Sequence, residues 1–213
     1  MVLLAVVLAV VFFLALDTIL RVFMEHRIRA QTGMDAEIGK FHFSLTEPVV
    51  SIQDLKLYNS PAFGGTPFLD IPEIHVEYDR LALAEHQIHL TLLRFNLGEL
   101  DIVKNEAGQT NIFSLGVAAP VLDRQSGGAA LAEFKKQTGF EFKSIDALNV
   151  SVGTAKYIDL KNPQNNREQK IGLENLVVKN VQSPADLAGL GLLVALRSGD
   201  FFGQLVAPGA GFK

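Results

Sequence analysis

Apolar and polar positions follow three periods along this chain. From Met1 to Leu16 every residue is apolar (MVLLAVVLAVVFFLAL), and after Asp17 and Thr18 the run resumes with Ile19 and Leu20. Twenty helical residues rise about 30 Å, the thickness of a bilayer's hydrocarbon core, so the run predicts a transmembrane helix over 1–20. The start carries no Lys or Arg, and Leu14-Ala15-Leu16-Asp17 is a poor cleavage site, so a permanent anchor is expected rather than a signal peptide. The period then becomes four. Asp17, Arg21, Glu25 and Arg29 alternate in sign, and acid before base at that spacing supports a helix by about 0.2–0.5 kcal/mol per pair. This predicts a membrane-interface ladder continuing into a solvated helical stalk over 21–33, with Gly33 past its last turn.

Beyond Gly33 the period is two. Strands are expected at Ala36–Leu45, Val49–Tyr58, Phe68–Asp79, Ile88–Phe95, Glu99–Lys104, Phe140–Phe142, Leu148–Val152, Ala155–Leu160 and Lys170–Val181. Within the second, the apolar parity slips by one between Ile52 and Leu55, which predicts a bulge near Asp54. Leu81–Glu85 reads as one helical turn, Gly116–Gly128 as a loop, and Ala129–Thr138 as a short amphipathic helix. Ser183 followed by Pro184 predicts the start of an apolar helix over 185–196. The chain thus divides into an anchor (1–20), a stalk (21–33), a first β-rich region (34–115), a loop and helix (116–139), a second β region with a closing helix (140–197) and a flexible tail (198–213). Leu93–Asn105 and Ile145–Asn162 resemble each other as strand, turn, strand and Lys-Asn turn. Serial pairs of that kind predict an elongated, curved antiparallel sheet rather than a closed barrel.

Composition narrows the function classes. Lys+Arg is 19 against Asp+Glu 23, a formal charge of -4. That gives no basic footprint for nucleic acid. The absence of cysteine excludes disulfides, zinc–thiolate sites and thiol catalysis. Fifteen Phe and no Trp place much apolar surface on a side chain that needs no polar partner.

An ordered series of short pieces carries a family resemblance. Thr32-Gly33 is followed by Ile38-Gly39-Lys40-Phe41, Val50-Ser51-Ile52-Gln53-Asp54-Leu55 and Asn59-Ser60-Pro61. Then come Phe68-Leu69-Asp70-Ile71, Ile74-His75-Val76, Leu81-Ala82-Leu83, Ile88-His89-Leu90 and Leu100-Asp101-Ile102-Val103. The series closes with Gly108-Gln109-Thr110-Asn111-Ile112. Over residues 1–115 the chain resembles the N-terminal region of the AsmA-like family, kin to TamB-type bridge-like lipid-transfer proteins. The resemblance implies an anchored protein with a taco-like groove whose apolar inside faces phospholipid acyl chains; with the two short helices read above, the expected fold is mainly β, a transmembrane helix followed by an elongated curved antiparallel sheet with two short helices. It implies a single-pass bacterial inner-membrane protein with its domain in the periplasm. The positive-inside rule, read on Arg21, Arg27 and Arg29, points instead to the cytoplasm. Family members are usually much longer. About ten strands at 4.8 Å would give a groove of about 50 Å, so other membrane-protein subunits or a homo-oligomer are the expected partners.

Candidate chemistry is sparse. His75, His86 and His89 lack the spacing and support of a metal set, and no spacing pairs carboxylates for acid–base work. There is no GxSxG elbow and no phosphate-cradling loop. Neither an enzyme, a cofactor nor a metal is expected. Phe41, Phe43, Phe68, Phe95, Phe140 and Phe142 form the candidate set, as the lining of a lipid groove or as plain core between sheet and helices. Two readings follow. One is a lipid-handling module acting in envelope membrane biogenesis. The other is a non-catalytic accessory subunit of a larger membrane assembly.

Overall fold

The computed structural model describes residues 17–30, 32–44, 46–111 and 127–199. It begins with a helix, α1, over 17–30. Strands β1 (Asp35–Phe43), β2 (Val49–Tyr58) and β3 (Pro67–Tyr78) follow as a meander. A single helical turn, α2 (Arg80–Ala84), leads into β4 (Gln87–Lys104). Asp79 caps α2, its carboxylate accepting from the N–H groups of Leu81 and Ala82. Helix α3 (Gly127–Thr138) precedes β5 (Glu141–Asp159), which turns into β6 (Arg167–Val181). The last described element is α4 (Ala188–Ser198). Its approach carries a reciprocal capping box between Ser183 and Asp186 with Pro184 at the first position.

The strands form one six-stranded sheet in the order β1-β2-β3-β4-β5-β6. Four pairings are antiparallel, but β4 and β5 are parallel from Gln87↔Glu141 to Lys104↔Asp159. The sheet is therefore mixed, and the antiparallel sheet expected from the sequence is corrected. The physical reason is the long connection over 105–140, which carries α3 and returns the chain to the starting end of β4. Parallel neighbours require such a crossover. The two resembling segments lie side by side, with Leu93 opposite Leu148 and Lys104 opposite Asp159. Each is the continuous part of one long strand and not a strand pair. Six strands span about 24 Å across, while the 18 residues of β4 run about 60 Å along. The sheet is narrower than the ten-strand groove expected.

Among the described residues no helix is long and apolar enough to cross a membrane. The transmembrane anchor expected over 1–20 is not supported, nor is the single-pass inner-membrane placement built on it. Residues 1–16 of that segment, the loop at 116–126 and most of the tail lie outside the described residues. Residues 17–20 belong to α1, which is laid along β1.

A line of irregular residues crosses the sheet. Gln53↔Lys40 and Leu55↔Ile38 flank Asp54 opposite Gly39, and Gln53↔Glu73 with Leu55↔Ile71 place Asp54 opposite Pro72. Leu97↔Val152 and Glu99↔Thr154 set Gly98 opposite Gly153, and Gly172 lies at the shift beyond, on β6. Asp54 and Gly172 have φ of 55° and 58°, a conformation that Asp and Gly tolerate. Gly153 is required for space, since a Cβ there would overlap the carbonyl oxygen of Gly98. Along this line residues three apart share a face: Ile38 with Phe41, Ile52 with Leu55, and Ile71 with Ile74 all belong to one apolar cluster. The pairing register passes Asp54 without a shift. The slip is thus a reversal of the pleat, not the inserted residue of a bulge.

Candidate functional site

Cross-strand register builds one side of the sheet from apolar rows. Phe41, Ile52, Ile74, Phe95, Val150 and Leu176 are successive partners across all six strands. Phe43, Val50, Val76, Leu93, Leu148 and Val178 form the next row. Beyond the crease, Ile38, Leu55 and Ile71 continue the same side. The neighbouring positions carry the opposite, polar side: His42, Ser51, His75, Arg94, Asn149 and Val177 are partners in one row. Period-two alternation, reset at the crease, produces this division.

Helices cover the apolar side at its two flanks. Met24 and Ile28 of α1 pack on the Ile38–Leu55–Ile71 cluster. Leu187, with Leu190 and Val194 of α4, packs on Ile145, Leu148, Val150, Ile171, Leu173 and Val181. Between those flanks Val50, Ile52, Ile74, Val76, Leu93 and Phe95 are only half-buried. Phe95 touches both clusters and joins them. Among the described residues the arrangement is an apolar strip, half-buried along its middle and bounded by a helix at each side.

The six candidate phenylalanines separate. Phe41, Phe43 and Phe95 lie in the two rows, and Phe142 packs at the β5 end of the apolar cluster. Phe68 does not join them. It alternates with Leu69 of the apolar side and is 2% exposed, so it is plain core. Phe140 precedes β5 and lies against the His86 ring with centroids 5.3 Å apart. The rows also contain aliphatic residues that a search for phenylalanine passes over. Their signal in the sequence was the three-residue spacing of Ile38/Phe41, Ile52/Leu55 and Ile71/Ile74.

The charge ladder is redirected. Asp17 accepts from the Phe43 N–H at 3.1 Å and contacts His42 Nδ1 at 3.2 Å. Arg21 donates to the carbonyls of Ile38 and Gly39 at 3.4 and 3.3 Å. Glu25 accepts from the Ile38 N–H at 2.9 Å, and Arg29 pairs with Asp35 at 2.7 Å. The ladder binds β1 instead of forming a stalk in solvent, because β1 ends the sheet and its outward backbone groups need partners. A cleft of about 380 Å³ opens here, lined by Asp17, Thr18, Arg21, Gly39, Lys40, Phe41 and His42.

The polar side holds two titratable clusters. His89 bridges Asp79 (Nδ1, 3.2 Å) and Asp146 (Nε2, 2.9 Å). The Asp146 bond, then the Asp79 bond, hold its imidazole above the ordinary histidine range against the opposing effect of burial. Asp101 is 5% exposed, its Oδ1 has no hydrogen-bond partner, and burial with the nearby Glu99 charge pushes its pKa up to about 6. Lys156, paired with Glu99 at 2.6 Å, opposes that rise. Among the described residues no group of three or more His, Asp or Glu is placed to hold a metal ion. No family model, no curated protein and no solved structure matches this chain.

Proposed function

We propose that the protein is a non-catalytic module that accommodates lipid acyl chains along the open middle of its apolar sheet face. The observation that carries this reading is the pair of six-strand apolar rows, half-buried over β1–β4 and flanked by helices. Binding an acyl chain there removes apolar surface from water on both sides, at about 25 cal/mol per Å². The sequence resemblance to AsmA-like proteins supports the same reading. An accessory-subunit role is favoured by one separate observation. Leu192 and Leu196 on the outer side of α4 are 59% and 69% exposed, a surface suited to packing against another protein.

The two readings part in photolabelling. A photoactivatable long-chain fatty acid, mapped by peptide mass spectrometry, labels β2–β4 around Ile52, Ile74 and Phe95 if the face holds chains. Labelling confined to α4, or spread evenly, contradicts the proposal.

A further inference from the structure

We propose that α1 and α4 are matched guards of the two sheet edges, holding back a head-to-tail stacking of copies for which the sheet is otherwise complementary. The inference does not depend on what the apolar face carries. At the β1 edge, side chains at positions 17, 21 and 25 occupy the N–H of Phe43, the N–H and C=O of Ile38 and the C=O of Gly39. At the β6 edge, Arg197 donates to the carbonyls of Ile171 and Gly172, and the Arg197 carbonyl accepts from Gln169 Nε2. The N–H groups of Phe43 and Ile38 and the carbonyls of Ile38, Gly39, Ile171 and Gly172 are strand backbone groups that an added strand would bond. One arginine from each flanking helix therefore grips two consecutive carbonyls at the two ends of the same crease, at Gly39 and at Gly172.

The occupant held back is a second copy of this chain, because the apolar rows that reach one edge have their continuation on the other. The apolar rows enter at Phe41 and Phe43 and leave at Leu176 and Val178. The polar row enters at His42 and leaves at Val177, and the crease enters at Gly39 and leaves at Gly172. Strands β1 and β6 run in the same direction, since β1–β4 alternate, β4 and β5 are parallel and β6 reverses again. A copy added at β1 through its β6 continues both apolar rows on one side, with the crease offset by two residues, since Gly39 precedes Phe41 by two and Gly172 precedes Leu176 by four. Such a contact is heterologous and does not close on itself, so an unguarded sheet would add copy after copy. The guards are side chains on partly exposed surface: Arg21 and Glu25 are half-buried and Arg197 is exposed.

The cysteine-free chain makes the test specific. His42→Cys and Val177→Cys place thiols on one row at opposite edges, five strand spacings or about 24 Å apart within a molecule. A disulfide needs Cα atoms within about 7 Å, so the pair can bridge only between copies. With Arg21→Ala, Glu25→Ala and Arg197→Ala added, which opens both edges of every β6–β1 junction, mild oxidation is expected to yield a ladder of dimers, trimers and longer species, at least tenfold more than with the guards intact. Arg21→Ala with Arg197→Ala, which keeps Glu25 on β1 and opens both edges in part, is expected to yield a shorter ladder and keeps the test decisive if the triple variant loses its strand signal in circular dichroism. Variants that retain strand content and remain monomeric would overturn the proposal. So would single-cysteine controls that cross-link as well as the pair, since they report β1–β1 or β6–β6 contact or disordered association.

Discussion

Asn111 is the residue on which one end of the molecule turns. It is wholly buried; its Oδ1 accepts from the Val103 N–H, and its Nδ2 donates to Asn59 Oδ1 and to the Asp101 carbonyl. Asn111→Ala leaves those groups unpartnered, at about 1–3 kcal/mol each. The expected loss is about 3–5 kcal/mol, read from the urea midpoint at unchanged slope. In the sequence Asn111 stood only within the last piece of the family resemblance, Gly108-Gln109-Thr110-Asn111-Ile112, where nothing marks it as buried. Its burial follows from the Asn59 loop folding over it, a contact between segments 52 residues apart. Asp101 was equally hidden. Its pKa is raised from 3.8 to about 6, so the ionised folded form is disfavoured, and its contribution to stability falls as pH rises from about 4 through 6. Asp101→Asn is expected to raise the melting temperature at pH 7 and to lose that advantage near pH 4. His89 works at higher pH. Its folded pKa is raised above 6.5, so its bridge contributes fully below pH 6.5 and is lost as pH rises through the raised value. In denaturation across pH, the deficit of His89→Gln is expected to be largest below 6.5 and to shrink above.

Strand by strand, the crease explains what could be read and what could not. The bounds of β2 and the one-turn helix α2 followed from alternation and local turn signals. The slip at Asp54 was visible as a broken parity, while its meaning appeared only when the same slip lined up in β1 and β3. Alternation divided each long strand in two, β4 between Phe95 and Glu99 and β5 between Val152 and Ala155, around Gly98 and Gly153. Side by side, those glycines let two backbones approach across the parallel pair. Gly153→Ala brings a Cβ against the Gly98 carbonyl and is expected to destabilise by about 1–3 kcal/mol. Gly189→Ala, in α4 with nothing within 4 Å, is expected to stabilise by up to about 1 kcal/mol. Thermal melts of the two variants read opposite signs. The parallel pairing itself was illegible because alternation fixes a face and not a neighbour's direction. The α1 ladder was legible as a helix with one charged side. Solvent was the assumed partner of that side; the unpaired backbone of β1 took its place.

Taken whole, the described molecule is a single mixed sheet with one apolar side, closed at both edges by side chains from helices and covered only at its flanks. Hydrophobic pattern gave most strand positions, while strict alternation set Ile38 on the other face from Phe41, with which it packs. The transmembrane anchor came from a run whose first sixteen residues are not described, and the described remainder lies on the sheet. The candidate phenylalanines were half informative, since a groove lining and a core present the same residues to alternation and only register separates them. The central proposal is that the open middle of the apolar face holds acyl chains. Native mass spectrometry of the purified full chain, with lipid extraction from the same sample, tests that most directly. Wild-type protein is expected to carry near-stoichiometric phospholipid, and Phe95→Glu, which puts a charge at the junction of the two clusters, to lose most of it while retaining its strand signal. Wild-type protein free of lipid, or a lipid load that Phe95→Glu leaves unchanged, would contradict the account.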